Sequence, residues 1–349
     1  MTRVVHLITA DRVAGGMEHF LVRLAPALAR AGLEQLAITR RGPELAEQLR
    51  RHGVPVAQFT LRKRDLRSWW GVRQAVRRFR PQVVLSWLPR AAQRVPRGSW
   101  VHVAQVGWYR GLDCYERAER MVVPSPDMVR HFKQLGFCGD ITVLPHFAAS
   151  QPPAAACDGF DTPSDAPVVL GMGRFDRTKG FDLALRAIAA VPRAYLWLAG
   201  EGEEEPELRR LAAELGIAGR VRFLGWRKDT NALLARAAAL VVPSRWQEAL
   251  GLVVLEAWSA GVPVVSTDTP GPRYLMGESE SGILVPIDDA AALADALRRL
   301  LDEPALAQRL VAKGRERAAG GFSEAATVAA YLSYFERVAR EAGLSAEAS

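Results

Sequence analysis

Two acids eight positions apart, Glu248 and Glu256, bracket the apolar run Ala-Leu-Gly-Leu-Val-Val-Leu. A buried, unpaired carboxylate is costly, so such acids are either exposed helix ends or groups held ready for a ligand. The neighbouring residues set the geometry. Pro243-Ser244 closes a strand-like run, Gly251 stands where a loop turns into a helix, and Gly261-Val262-Pro263 ends that helix. Glu248 then lies in the loop, and Glu256 about one and a half turns into the helix. Eight helical residues span about 12 Å, roughly the length of a nucleotide-sugar. One carboxylate can accept hydroxyls of a sugar and the other those of a ribose. A diphosphate would rest between them over the helix N-terminus, beside Leu250, Gly251, Leu252 and Val253.

Three further loops carry unusual residues. In Gly171-Met172-Gly173-Arg174, followed by Lys179-Gly180, a strand ends in glycines before two bases five positions apart. A guanidinium can clamp two diphosphate oxygens while the ammonium supplies a mobile point charge. It is not a Walker loop, because Gly-Lys-Ser/Thr is absent. In Phe223-Leu224-Gly225-Trp226-Arg227-Lys228, Trp226 and Lys228 mark a turn whose backbone could read the edge of a base; an exposed turn explains the residues equally well. Gly15-Gly16, ahead of Met17-Glu18, let backbone approach a ligand at a helix start. A tight strand-to-helix turn is the alternative there.

The elements that must position these loops are legible as alternation. RVVHLIT, LEQLAIT, VPVAQF, PQVVLSW, WVHVAQVG, RMVVPS and ITVLPH read as strands separated by amphipathic helical segments. Continuous apolar strands between helices imply parallel sheets covered on both faces. After AASQPPAAACDGFDTPSDAP, which has linker composition, the pattern restarts with VVLGMG, AYLWLAG, VRFLG, ALVVPS and VPVVST. Helices are expected from Phe181 to about Ala190, over PELRRLAAELG and near Thr230–Ala238, and the tail opened by Ser323 reads as one helix. The fold class is therefore α/β with two Rossmann-like sheets. The expected division is 1–150, a linker 151–166, a nucleotide-sugar domain 167–322, and a C-terminal helix 323–349.

Composition narrows the function classes. With 349 residues, 49% hydrophobic and 24% charged, the chain suits two soluble domains. No run approaches the ~20 apolar residues that span a bilayer, and the N-terminus is too short in apolar residues for a signal peptide. Cys114, Cys138 and Cys157 lack metal-ligand spacing and read as reduced cytoplasmic thiols. Residues 1–150 hold 24 Lys+Arg against 11 Asp+Glu, whereas the remainder is net acidic. The basic half is expected to face something anionic. Leu61 to Arg80 alone carries eight bases, one acid and three aromatics. Read as a helix, it suits an anionic lipid surface; its alternative is a solvated helix face. No nucleic-acid motif is present, so no nucleic-acid partner is expected.

Together the GG loop, the GR…K pair, FLG, PS…EALGLVVLEAWSAGVPVV and SGILVPIDDAAALADALRRLL resemble the retaining glycosyltransferases of the group 1/family 4 type. These have the GT-B fold, two Rossmann-like domains facing a cleft, and an E-x7-E motif. The resemblance covers nearly the whole chain. It implies that Arg174 and Lys179 bind the donor diphosphate, that Glu248 contacts the donor sugar and Glu256 the ribose, and that Gly15 and Gly16 lie on the phosphate or acceptor side. Glu248, Lys179 and Arg174 become the expected catalytic set; Gly173, Trp226 and Lys228 join the donor site. It also implies that the last helix crosses back to the first domain. One departure stands out: the position aligned with a histidine of the family's first domain is Gly107. His102, five residues earlier, reads as a strand residue. Polar sugar contacts on the acceptor side are expected from Glu18, His102, Gln105, Tyr109 or backbone at Gly107.

The implied reaction moves a sugar from a nucleoside diphosphate, UDP more commonly than GDP in the family, to an acceptor hydroxyl with retention. No metal pair stands out and no cofactor is expected. The acceptor expected for a basic first half is an anionic glycan or lipid-linked one, such as lipopolysaccharide core, reached from the cytoplasm at the inner face of the membrane. Two other classes share the site: a nucleotide-sugar epimerase, and a nucleotide-sugar-binding protein without transferase activity.

Overall fold

The computed structural model describes residues 2–13, 15–62, 65–148, 157, 159–246, 248–277 and 280–344. The chain divides into two compact units, Met1–Phe147 with Glu324–Ser349, and Ala148–Ser323.

The first unit holds a seven-stranded sheet: β1 (Arg3–Leu7), β2 (Glu34–Arg40), β3 (Val56–Phe59), β4 (Val83–Ser86), β5 (Val101–Gln105), β6 (Arg120–Val123) and β7 (Asp140–Val143). Every pairing is parallel, and the order is β3-β2-β1-β4-β5-β6-β7. β4 is buried along its whole length, as a strand covered by helices on both faces must be. A histidine survives in this core because its ring is fully bonded. Trp87 Nε1 donates to His6 Nδ1 at 3.1 Å, so His6 Nε2–H donates to Gln35 Oε1 at 2.9 Å. Burial then pushes His6 down to about 4.

The last helix, Glu324–Glu341, belongs to this unit. Tyr331, Tyr334, Phe335 and Val338 enter the same core as Phe20 and Leu24 of the helix Gly16–Arg30. Tyr331 Oη donates to Gln105 Oε1 at 2.8 Å, and Arg120 Nη1 to Glu341 Oε2 at 2.6 Å. The tail is thus a structural member of a unit that begins more than three hundred residues earlier.

The second unit holds β8 (Val168–Met172), β9 (Tyr195–Ala199), β10 (Val221–Phe223), β11 (Ala239–Val242), β12 (Val264–Thr267) and β13 (Ile283–Val285). They pair in parallel in the order β10-β9-β8-β11-β12-β13. Of the segment expected as a linker, residues 151–156 and 158 lie outside the described residues. Its later part is docked on this unit. Phe160 meets Trp197 edge-on at 5.0 Å, Trp197 Nε1 donates to Thr162 Oγ1 at 3.0 Å, and Arg236 Nη2 donates to the carbonyls of Pro163 and Ala166. Among the described residues no helix is long and apolar enough to cross a membrane, and all three cysteines are free.

Candidate active site

In each sheet the strand order reverses once, between β1 and β4 and between β8 and β11. Loops beyond the carboxyl ends of those strands form the crevice in which open α/β sheets hold ligands. Two of the sequence-derived site loops of the second unit follow β8 and β11, so its topology brings together segments about seventy residues apart; a third follows β10.

The loop after β8 begins at Gly173, whose φ of +151° a side chain would strain. Its carbonyl is so close to Gly200, at the end of β9, that a Cβ on Gly200 would lie 1.8 Å from it. Arg174 reaches solvent and pairs with Asp176 at 3.0 Å. Lys179 turns the other way: its Nζ donates to Glu248 Oε2 at 2.5 Å, and Ser244 Oγ donates to the same oxygen at 3.1 Å. Both partners of the ion pair are largely shielded, with side chains 27% and 17% exposed. Screening by water is therefore weaker here than for the exposed pairs elsewhere.

Backbone contacts fix this pairing. Arg245 N donates to Thr178 O at 2.9 Å, and Gly180, at φ +63°, leaves 2.1 Å between a notional Cβ and the Pro243 carbonyl. The Arg245 guanidinium holds Asp182, with Nη2 2.6 Å from Oδ2, and also pairs with Asp288. Burial works to raise Asp182, but the hydrogen bond and charge of Arg245 outweigh it and hold that carboxyl below its usual range. Gly271 N donates to Glu248 O at 2.8 Å, at a distance no side chain on Gly271 would permit.

Gly251, left-handed at φ +86°, starts the helix Leu252–Ala260, which has neither a side-chain cap nor an acid in its first turn. Its terminal N–H groups and positive dipole end are open to an anion. Leu250 is buried, Leu252 and Val253 are half-buried, and Glu256 is half-buried as the fifth helical residue. After β10, Gly225 is left-handed, Trp226 N donates to Glu201 Oε1 at 3.2 Å, and the Trp226 indole and Lys228 are exposed.

In the first unit, Gly15 caps the helix Gly16–Arg30 in extended conformation without a side-chain cap. Glu18 is only 8% exposed, its Oε2 has no hydrogen-bond partner, and burial raises its carboxyl. Gly107 is the position where the resemblance leads one to expect a histidine. A Cβ there would lie 2.2 Å from Met17 Sδ, so the space a side chain would use is filled from the neighbouring helix. His102 is a buried residue of β5. Its Nδ1 bonds the Arg117 carbonyl and its Nε2 bonds Ser86 Oγ, both at 2.9 Å, and burial lowers it to about 4. Gln105 is likewise interior, 2% exposed, with its carbonyl held by Tyr331. Tyr109 Oη donates to Asp127 Oδ2 at 2.8 Å.

The structure therefore gathers Lys179, Glu248, Gly251 and the start of the Leu252–Ala260 helix at one switch point, with Gly173 and Arg174 on the flanking loop. Sequence reasoning left out Arg245, Ser244, Gly180 and Gly271, which hold that arrangement. Ser244 and Arg245 stood in plain view beside Glu248; Gly271 gave no local signal.

Two doubly wound parallel sheets with ligand loops at their switch points define a protein of the GT-B fold. Residues 14–148 match the family Glycosyltransferase Family 4, and residues 158–317 match Glycosyl transferases group 1. The chain belongs to this glycosyltransferase family. It is 37% identical over 329 residues to the lipopolysaccharide core biosynthesis glycosyltransferase LpsD of Rhizobium meliloti (strain 1021), covering 93% of this chain and 95% of that protein. It is also 37% identical to LpsE of the same organism over 325 residues, covering 91% and 95%. Among solved structures, Anabaena Alr3699/HepE in complex with UDP and glucose superposes with a TM-score of 0.83 at 18% identity, over 97% of this chain and 100% of that one. WaaG, a glycosyltransferase involved in lipopolysaccharide biosynthesis, gives 0.70 at 16% over 93% and 98%. At such identities the superpositions speak to the fold.

Proposed function

We propose that this glycosyltransferase moves a sugar from a nucleoside diphosphate, UDP rather than GDP, to a hydroxyl of a cell-envelope glycan or lipid-linked acceptor such as lipopolysaccharide core, with retention of configuration. The Lys179–Glu248 contact beside an uncapped helix N-terminus carries the reading. A cation, an anion and an anion-binding helix end meet there, which suits a diphosphate joined to a polyhydroxylated ring. The two Rhizobium relatives support the acceptor class, and the UDP complexes of HepE support the choice of UDP.

In this mechanism the bond from the anomeric carbon to the β-phosphate oxygen breaks, and a bond to the acceptor hydroxyl oxygen forms on the same face. The hydroxyl proton passes to the departing phosphate oxygen. Lys179, Arg174 and the helix terminus stabilise the charge that develops on the diphosphate, so the mechanism assigns no step to a metal. Glu248 takes sugar hydroxyls, Glu256 those of the ribose, and the Gly225–Lys228 turn reads the base. Gly15 and Gly16, with Glu18, Gly107 and Tyr109, serve the acceptor side; His102 and Gln105 support that region from inside the protein.

The acceptor reading extends to the membrane. In the helix Leu66–Phe79, Ser68, Val72 and Val76 pack inward. Leu66 and Trp70 are 81% and 65% exposed beside exposed Arg67, Arg73, Arg77 and Arg78. Cations flanking bare apolar side chains suit anionic headgroups. Lys63 and Arg64 of the same basic stretch lie outside the described residues.

A thermal-shift panel of nucleotide-sugars tests the donor, since a ligand of the folded state raises its stability. UDP-sugars should shift the melting point more than GDP-sugars. Transfer to a core-glycan acceptor, with the anomeric configuration of the product read by NMR, tests the rest. Inverted product, or transfer that stops in EDTA, would overturn the mechanism.

A further inference from the structure

Trp246 is one of the exposed large hydrophobic residues of the second unit. Its indole is 59% exposed, whereas Trp197 and Trp258 of the same unit are completely buried. Among the described residues no ring or cation stacks on it. Leaving so large an apolar face in water forgoes the stabilisation that burial would give.

The described residues around it are nonetheless held on several sides. Arg245, next in sequence, is tied by its backbone to Thr178 and by its guanidinium to Asp182 and Asp288. Ser244 is buried, and the Glu248 carbonyl is bound by Gly271 N. Held residues on either side, Arg245 and Glu248, thus place a bare indole two positions in sequence from the carboxylate that Lys179 and Ser244 bond. Two residues separate Cα atoms by at most about 7 Å, which is within reach of the same ligand or its immediate neighbour.

Pyranose rings match this pair of groups. Their hydroxyls need acceptors such as a carboxylate, and their C–H faces carry partial positive charge that an indole face attracts. We infer that Trp246 is a sugar-stacking platform beside Glu248, a specificity-determining residue that orients a pyranose ring at the reacting end of the donor. The inference rests on the donor-site reading above. The ring comes either from the donor sugar or from the terminal sugar of the acceptor, and kinetics distinguish them.

The test compares wild-type protein with Trp246→Leu and Trp246→Phe, measuring KM for the nucleotide-sugar, KM for the glycan acceptor, and Kd for UDP alone. Trp246→Leu should raise one of the two sugar KM values by on the order of tenfold, the effect expected for uncovering one ring face. A rise confined to the nucleotide-sugar places the donor ring on Trp246; a rise confined to the acceptor places the acceptor ring there. Trp246→Phe should recover most of the loss, because it restores a π face. UDP affinity should stay within twofold of wild type in both variants. Both KM values unchanged in Trp246→Leu, or UDP affinity falling in step with them, overturns the inference while leaving the transferase reading intact. A wild-type protein that neither binds nor transfers from any nucleotide-sugar overturns that reading, and this inference with it.

Discussion

The two sheets share one strand order through their first six strands, yet their switch points are furnished in opposite ways. In the second unit the crevice is built from charge: Lys179 and Glu248 satisfy each other, with Ser244 as a third partner. In the first it is built from glycine and close packing, with Met17 against Gly107 and one buried carboxylate, Glu18, that has an oxygen to spare. The same topology thus carries a shielded ion pair in one crevice and closely packed glycine beside a buried carboxyl in the other.

The sharpest way to break this contrast is to remove the charges. Lys179→Ala and Glu248→Ala should each lower transfer by roughly 10²–10³-fold, the scale of losing one preorganised group at a developing charge. Each variant should keep a wild-type circular dichroism spectrum. Rates within tenfold of wild type would dissolve the distinction between the two crevices.

A pair of glycine substitutions probes how rigid each crevice is. Gly180→Ala combines a left-handed backbone with a clash against the Pro243 carbonyl, so about 1–3 kcal/mol of stability should be lost, together with most activity. Gly107→Ala meets only the flexible end of Met17, and the cost should stay below about 1 kcal/mol. Denaturant melts of both, with Met17→Ala added to relieve the second, would show whether the difference is real.

The proposed membrane contact rests on the basic helix Leu66–Phe79 of the first unit. Reversing Arg73 and Arg77 to Glu should weaken binding to anionic vesicles at low salt by at least about tenfold, at about 1 kcal/mol per basic side chain. Transfer to a soluble acceptor should not change. Equal binding of variant and wild type in co-sedimentation would remove the proposed contact.

The smallest effect is a pH dependence. Burial raises the Glu18 carboxyl in the folded protein, so the folded state keeps its proton where the unfolded chain has lost it. The stability this gives is fully present below the unfolded value near 4.5 and is lost as pH rises through the raised one. Glu18→Gln should flatten that decline and leave the protein more stable than wild type at pH 8. A parallel pH profile for both proteins in urea melts would show that the carboxylate finds a partner after all.

Much of this molecule was legible before folding. VVLGMG and ALVVPS became β8 and β11, Gly251 and Gly261 bounded the helix they were expected to bound, and Glu256 fell a little over one turn into it. Such features are local: apolar runs, left-handed glycines and capping act within a few residues. The three-residue strand β13 and the helix Pro304–Ala319 were not read from pattern, being respectively too short and too weakly amphipathic to stand out. Nor did the linker composition reveal that residues 159–166 dock on Trp197 and Arg222.

By itself, then, the sequence determined the chemistry on offer: two acids eight positions apart around an apolar run, an Arg and a Lys after a glycine strand end, and a basic first half. Only the tertiary structure decided which groups meet. It set the Lys179 ammonium on Glu248, clamped their loops through Arg245, packed Met17 against Gly107, and left Trp246 bare. Those outcomes depend on strand order and on packing between distant segments, and no local rule of spacing encodes either.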